Sequence, residues 1–438
     1  MSVGARKRGR IPEGMVGERE PLTGRTVLRG RTPQGSEVRV LPMPGFTRAY
    51  ASVTTRYGSI DTHLPDGTEL PIGIAHFLEH KMFQTEAGDV FDLYSARGAS
   101  ANAYTTFDHT TYLFSCSSRF EENLDTLFDT MTSITTDLAA VEREKGIIGQ
   151  EIAMYEDDPG WRGYFGLLGA LYRRHPVRLD IAGTAGTIAP IDPALLRRTH
   201  AAYYHPANLI VAVAGDVDPA YVLARAGERL RVAHAGQALV RGPLREPAGV
   251  AHKAASVRLS IQRPRALLGW KEDPPGAGPE RVYRETASVV ALDLLFGDGG
   301  RVEGPLYDEG VVDDTFGASY ELGDGYAFAL LSAEVDDVSV YRRSLSRALA
   351  QACRTPFSAA EVERSRRKLL GRHVRTFNAP ESSAQWLLDL ALDATPVAAD
   401  IEALAALRPR DVTRRRDELL AAPTAWSLLE PRGKAARR

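Results

Sequence analysis

With 438 residues, 44% of them hydrophobic and 25% charged, the chain has the make-up of an ordinary globular protein but is longer than one hydrophobic core usually supports. Two domains of roughly 200 residues each are expected. Lys+Arg at 54 against Asp+Glu at 56 gives a formal charge of −2, which offers no footprint for nucleic acid; the terminal basic clusters "ARKRGR" and "RGKAARR" read as solvated ends.

Cys116 and Cys353 are the two cysteines, so no disulfide framework is implied and a reducing, cytoplasmic setting fits. No apolar h-region follows the N-terminal basic residues, and no window approaches about 18 uninterrupted apolar residues. A soluble protein without membrane association is expected.

A flexible segment is expected over 1–25. The stretch "RTVLRGRTPQGSEVRVLPMPGFTRAYASVTTRYGS" then alternates apolar and polar residues around turn signals and reads as strands. Helical patterns follow in "PIGIAHFLEHKMFQ" and in "GDVFDLYSARG", which Gly98 stops. The Thr, Tyr and Phe of "SANAYTTFDHTTYLFSCSS" predict two strands or a hairpin. "FEENLDTLFDTMTSI" and "LAAVEREKGIIGQEIAMYEDD" read as helices, Leu209 to Ala214 as a buried strand, and "AYVLARAGERL" as a helix, with Asp216 capping the turn between strand and helix.

Over 232–251 the pattern lapses into Pro, Gly and charge, which marks a linker between a domain at 26–231 and a second at 252–431; 432–438 is a basic tail. The second half repeats the first in degenerate form. Its helix "ASVVALDLLFG" stands where "GIAHFLEHKMF" stands in the first half, yet it carries no histidine.

On a helix His76 and His80 share one face, with Glu79 on the same side. Two imidazoles at that spacing supply half the shell of a tetrahedral zinc ion, and the carboxylate is placed to take a proton from activated water. Unpaired, these groups on an apolar helix are a burial liability. H-x-x-E-H is the inverse of the commoner H-E-x-x-H zinc signature. A third ligand is required, and "EREKGIIGQE" offers Glu144 and Glu151, seven apart on one helix face. One of these carboxylates binds the metal and the other orients a ligating imidazole.

The pair "AHFLEHKMF" and "EREKGIIGQE" resembles the two motifs of the M16 family of zinc metallopeptidases, which includes pitrilysin, insulin-degrading enzyme and the mitochondrial processing peptidase. "GASANAYTTFDHTTYLF", "HPVRLDIAGT" and "YYHPANLIVAVAGDVDP" also resemble family segments, in family order. The subgroup most similar is the short bacterial one found as paired subunits. The resemblance implies an α+β fold of two homologous domains, each a mostly antiparallel sheet packed with helices, forming half of a clamshell around a chamber. It implies a zinc endopeptidase in which His76, His80 and Glu151 are the metal ligands, Glu144 is the supporting carboxylate and Glu79 is the catalytic base. The peptide substrate is expected to add as a strand to the edge at 100–106, nearest Asn102 and Ala103.

The chain departs from the family at one place. Active members carry an arginine and a tyrosine, seven apart, that stabilise the tetrahedral intermediate; the matching positions in "GPLYDEGVVDDTFGASY" are Leu306 and Asp313. This implies the zinc-bearing half of a heterodimer, its partner a homologous subunit without H-x-x-E-H that supplies Arg and Tyr. A homodimer, with Tyr307 substituting in part, and a non-catalytic scaffold are the alternatives. Paired bacterial members include peptidases that remove leaders from peptide natural products. His109, His175 and His205 lack ligand spacing and read as structural.

Overall fold

The computed structural model describes residues 11–85, 88–232, 239, 241–242 and 244–432. The first ten residues, the last six of the basic tail and much of the linker lie outside it. The strands of the first half are β1 (Met15–Arg19), β2 (Thr26–Arg31), β3 (Glu37–Pro42), β4 (Ala49–Thr55), a two-residue ribbon β5 (Gln84–Thr85) and β6 (Gly88–Asp89), β7 (Ser100–Thr105), β8 (Thr110–Cys116) and β9 (Leu209–Gly215). Seven of them form one sheet in the order β1-β2-β3-β9-β4-β8-β7. The second half contributes β10 (Ala254–Leu259), β11 (Arg265–Glu272), β12 (Gly317–Gly323), β13 (Tyr326–Glu334) and β14 (Thr424–Pro431), ordered β10-β14-β11-β13-β12.

The sheets carry the repeat expected from the sequence. β3 pairs parallel with β9, and β9-β4-β8-β7 continues antiparallel; β10 pairs parallel with β14, and β14-β11-β13-β12 continues antiparallel. The expected flexible segment 1–25 is corrected in part, since Met15–Arg19 pairs with Thr26–Arg31 as an added edge strand. Its one buried residue, Met15, anchors that strand in the first core.

Both faces of each sheet are covered. Along β9 every residue is buried, and alternation sends Val211 and Val213 into one core and Ile210, Ala212 and Ala214 into another. The second of these cores is filled by Leu387, Leu388 and Leu390 of the helix Pro380–Leu392, which belongs to the second half of the chain. Reciprocally, Leu167, Leu168 and Leu171 of the helix Pro159–Leu171, from the first half, pack on Leu267, Ala425 and Leu429 of the second sheet. The halves therefore exchange a helix each. A division at 232–251 into separately cored domains does not describe this packing, because an apolar helix face reports that it is buried but not which sheet buries it. The linker is also fastened: Arg241 binds Asp61 at 2.7 Å and Asp324 at 2.6 Å, and Glu246 accepts from the backbone amides of Arg173, Arg174 and His175 and from Lys271. Among the described residues no helix is long and apolar enough to cross a membrane.

Since each half completes the other's core, the halves are expected to unfold together. Leu387→Ala should cost about 2–5 kcal/mol in urea titration and shift a single transition that includes the first sheet. Two resolved transitions, with only the second moved, would contradict the exchange.

Candidate metal centre

The helix Ile74–Met82 begins at Gly73, whose φ of 95° favours glycine. A Cβ there would meet the Ala182 carbonyl oxygen at 2.5 Å, and one at Gly183 would meet the Ile72 carbonyl oxygen at 2.5 Å. These two glycines let the loop 180–184 close onto the start of the helix. Ile74, Phe77, Leu78 and Met82 face the first core and fix the helix roll, which turns His76 and His80 toward the long helix Leu138–Asp157. That helix buries Val141, Ile148 and Ile152, and so presents Glu144 and Glu151 to the histidines.

His76 Nε2, His80 Nε2 and a Glu151 oxygen converge. The two nitrogens are 3.3 Å apart; Glu151 Oε2 lies 3.7 Å from His76 Nε2 and 3.3 Å from His80 Nε2. Ligands about 2.0–2.1 Å from a tetrahedral zinc ion stand roughly 3.3–3.4 Å from one another, so these donors have the spacing of three corners of its shell. Among the described residues this is the one such group of His, Cys, Asp and Glu. An N,N,O set with a position left for water is the donor chemistry of a catalytic zinc site. The residues fit that ion.

Glu144 is buried and accepts from His80 Nδ1 at 3.0 Å and from Gln84 Nε2 at 2.6 Å, which leaves His80 Nε2 to face the cluster. Glu79 does not join the three; its Oε2 accepts from the Thr105 hydroxyl at 2.6 Å. Burial raises the pKa of Glu79. Burial pulls His80 down, but hydrogen bonds to Glu144 and Glu151 outweigh it and bring the ring up to about 9. Burial and the nearby His80 charge push His76 down to about 4, while the hydrogen bond with His80 takes Glu151 to about 2. In the metal-free site the proton therefore sits on His80.

Asn102 and Ala103 lie on β7, paired with Leu113 and Tyr112 of β8 and, among the described residues, with no strand on the other side. The Ala103 amide donates to Asn102 Oδ1 at 2.9 Å. Leu306 is a core residue of the second half, Asp313 accepts from Arg263 at 2.6 Å, and Tyr307 is 56% exposed. His109 sits 2.7 Å from Asp108, His175 accepts from the Val177 amide at 3.0 Å, and His205 accepts from the Ala207 amide at 3.2 Å, all local contacts. The cap expected at Asp216 is made instead by Asp218, which accepts from the Ala220 amide at 3.0 Å; Asp216 accepts from Gly45 at 3.2 Å. Sequence reading missed Thr105, Gln84 and Tyr155. Of these Tyr155 had a signal, since it lies four residues beyond Glu151 on one helix and donates its hydroxyl to Glu151 Oε1.

Residues 63–185 match Insulinase (Peptidase family M16) and residues 190–369 match the Peptidase M16 inactive domain. The chain belongs to peptidase family M16. YmfH of Bacillus subtilis, named an uncharacterized zinc protease, is 37% identical over 364 residues, 81% of this chain and 85% of its own length. The crystal structure of an M16-like peptidase from Alicyclobacillus acidocaldarius superposes with a TM-score of 0.88 at 33% identity, over 93% of this chain and 99% of that one. The periplasmic protease PqqL of Escherichia coli shares the M16 fold at a TM-score of 0.73 and 18% identity; the likeness covers 96% of this chain but 48% of PqqL. Among the described residues the second half repeats the sheet and holds no such group of metal donors.

A protonated His80 must lose its proton for Nε2 to bind a metal. Zinc binding at pH 7 should release about one proton, and affinity should fall about tenfold per pH unit as pH drops below about 9. Calorimetry in buffers of differing ionisation enthalpy measures both; no proton release would contradict a proton held on His80.

Proposed function

We propose that the chain is a zinc endopeptidase acting on peptides or unfolded segments, with His76, His80 and Glu151 as metal ligands, Glu144 as the carboxylate that orients His80, and Glu79 as general base. The observation that carries this reading is the set of 3.3–3.7 Å separations among His76 Nε2, His80 Nε2 and Glu151 Oε2. Zinc held by these atoms supplies Lewis acidity, activating water near neutral pH and polarising the scissile carbonyl. Glu79 lies between His76 and His80 on the same helix and outside the ligand set. It takes the proton of the attacking water and returns it to the leaving amine, and its raised pKa keeps that return favourable. The unpaired edge of β7 binds the peptide backbone as an added strand, the Ala103 amide exchanging its Asn102 contact for a substrate carbonyl.

The chain serves as the zinc-bearing subunit of a heterodimer. Leu306 is buried and Asp313 is tied to Arg263, so neither donates to an oxyanion. A missing donor costs roughly 10²–10³ in rate, which a homologous partner carrying Arg and Tyr restores. The substrates we propose are leader segments of peptide natural products, a reading supported only by the resemblance to short paired bacterial members.

An unstructured, internally quenched peptide library should be cleaved by the zinc-loaded chain mixed with such a partner, and far more slowly by the chain alone. Glu79→Gln in the mixture should lose about 10²–10⁴-fold in kcat while retaining zinc. Equal turnover without a partner would contradict the heterodimer, and an active Glu79→Gln would contradict the mechanism.

A further inference from the structure

Glu151 reaches the site from a different helix than the two histidines. His80 is held by Glu144 and shares its short helix with His76, whereas Glu151 projects from a separate helix with its side chain 26% exposed. A carboxylate so placed has several rotamers and two oxygens to offer. In this structure the Tyr155 hydroxyl donates to Oε1, and Oε2 faces both imidazoles.

Tyr155 is itself braced. Its ring stacks on Trp161, with centroids 4.3 Å apart and planes 12° from parallel. Trp161 Nε1 donates to Asp180 Oδ2 at 2.6 Å, and Asp180 Oδ1 accepts from the Ala182 amide at 2.9 Å. Ala182 and Gly183 are the residues that press against Gly73 and Ile72 at the start of the histidine helix. The contacts thus run from Glu151 through Tyr155, Trp161 and Asp180 to the loop beneath His76 and His80. Trp161 lies on the exchanged helix Pro159–Leu171, which rests on the sheet of the second half.

We infer that Tyr155 is a positioning residue that selects Glu151 Oε2 as the metal-facing oxygen, and that Trp161, mounted on the second half's sheet, holds Tyr155 in place. The half without metal donors thereby sets the geometry of the third ligand. This rests on the zinc reading proposed above.

The test is zinc affinity of the full chain, measured by competition with a chromophoric chelator, for wild type, His76→Ala, Tyr155→Phe, Trp161→Ala and Trp161→Phe. Thermal unfolding of each metal-free variant is followed in parallel. Tyr155→Phe keeps the ring stack and loses only the hydroxyl; zinc should bind about 10–100-fold more weakly, as for other residues that support a ligand. Trp161→Ala should weaken zinc similarly, and Trp161→Phe should recover most of the loss. Wild-type affinity in Tyr155→Phe, with His76→Ala abolishing binding, would overturn the positioning role alone. Equal zinc uptake by wild type and His76→Ala would overturn the metal site and the positioning role together. Should Trp161→Ala lower the unfolding midpoint, Tyr155→Phe still decides, since the backbone and both rings are retained.

Discussion

Two imidazole nitrogens facing each other at 3.3 Å, with a carboxylate oxygen against both, are unfavourable unless a cation stands among them or a proton is shared. The rest of the first half is arranged around that meeting. The helix Ile74–Met82 supplies the imidazoles, the helix Leu138–Asp157 supplies the carboxylates, and the two glycine contacts at Gly73 and Gly183 set how closely the first helix seats. In the metal-free protein the proton on His80 is the substitute cation. Its raised pKa adds stability that is complete below the ordinary value of 6.5 and is lost as pH rises through about 9.

The fold extends this dependence across both halves. An exchanged pair of helices makes each sheet's outer face the other half's responsibility, so neither half is a self-contained scaffold. One of those helices carries Trp161, and it begins directly after the helix that carries Glu151. Among the described residues the second half holds no group of metal donors, yet its sheet carries the helix on which Trp161 lies. Membership of family M16 describes the fold, and within its second half Leu306 is buried in the core and Asp313 is paired with Arg263.

How much of this was legible in sequence follows from how local each feature is. The H-x-x-E-H pattern and the Glu144/Glu151 spacing are helical periodicities, and they were readable because one helix turn fixes which side chains share a face. The repeat was readable as matching strand and helix order, and the second sheet's five strands follow the order and directions of β3-β9-β4-β8-β7 in the first. The helix exchange was not, since periodicity does not say which sheet receives an apolar face. A five-residue strand with one buried residue carries little alternation signal, so Met15–Arg19 reads in sequence as part of a flexible end. Thr105 reaches Glu79 only through the sheet edge passing the helix, a contact between residues 26 apart in the chain.

The most direct test of the metal centre is zinc K-edge X-ray absorption on the purified chain loaded with one equivalent of zinc. The expected spectrum is that of four light ligands at about 2.0–2.1 Å with the outer-ring scattering of two imidazoles, reduced to one imidazole in His76→Ala. An oxygen-only six-coordinate shell, or a spectrum unchanged by His76→Ala, would show that zinc does not reside among His76, His80 and Glu151.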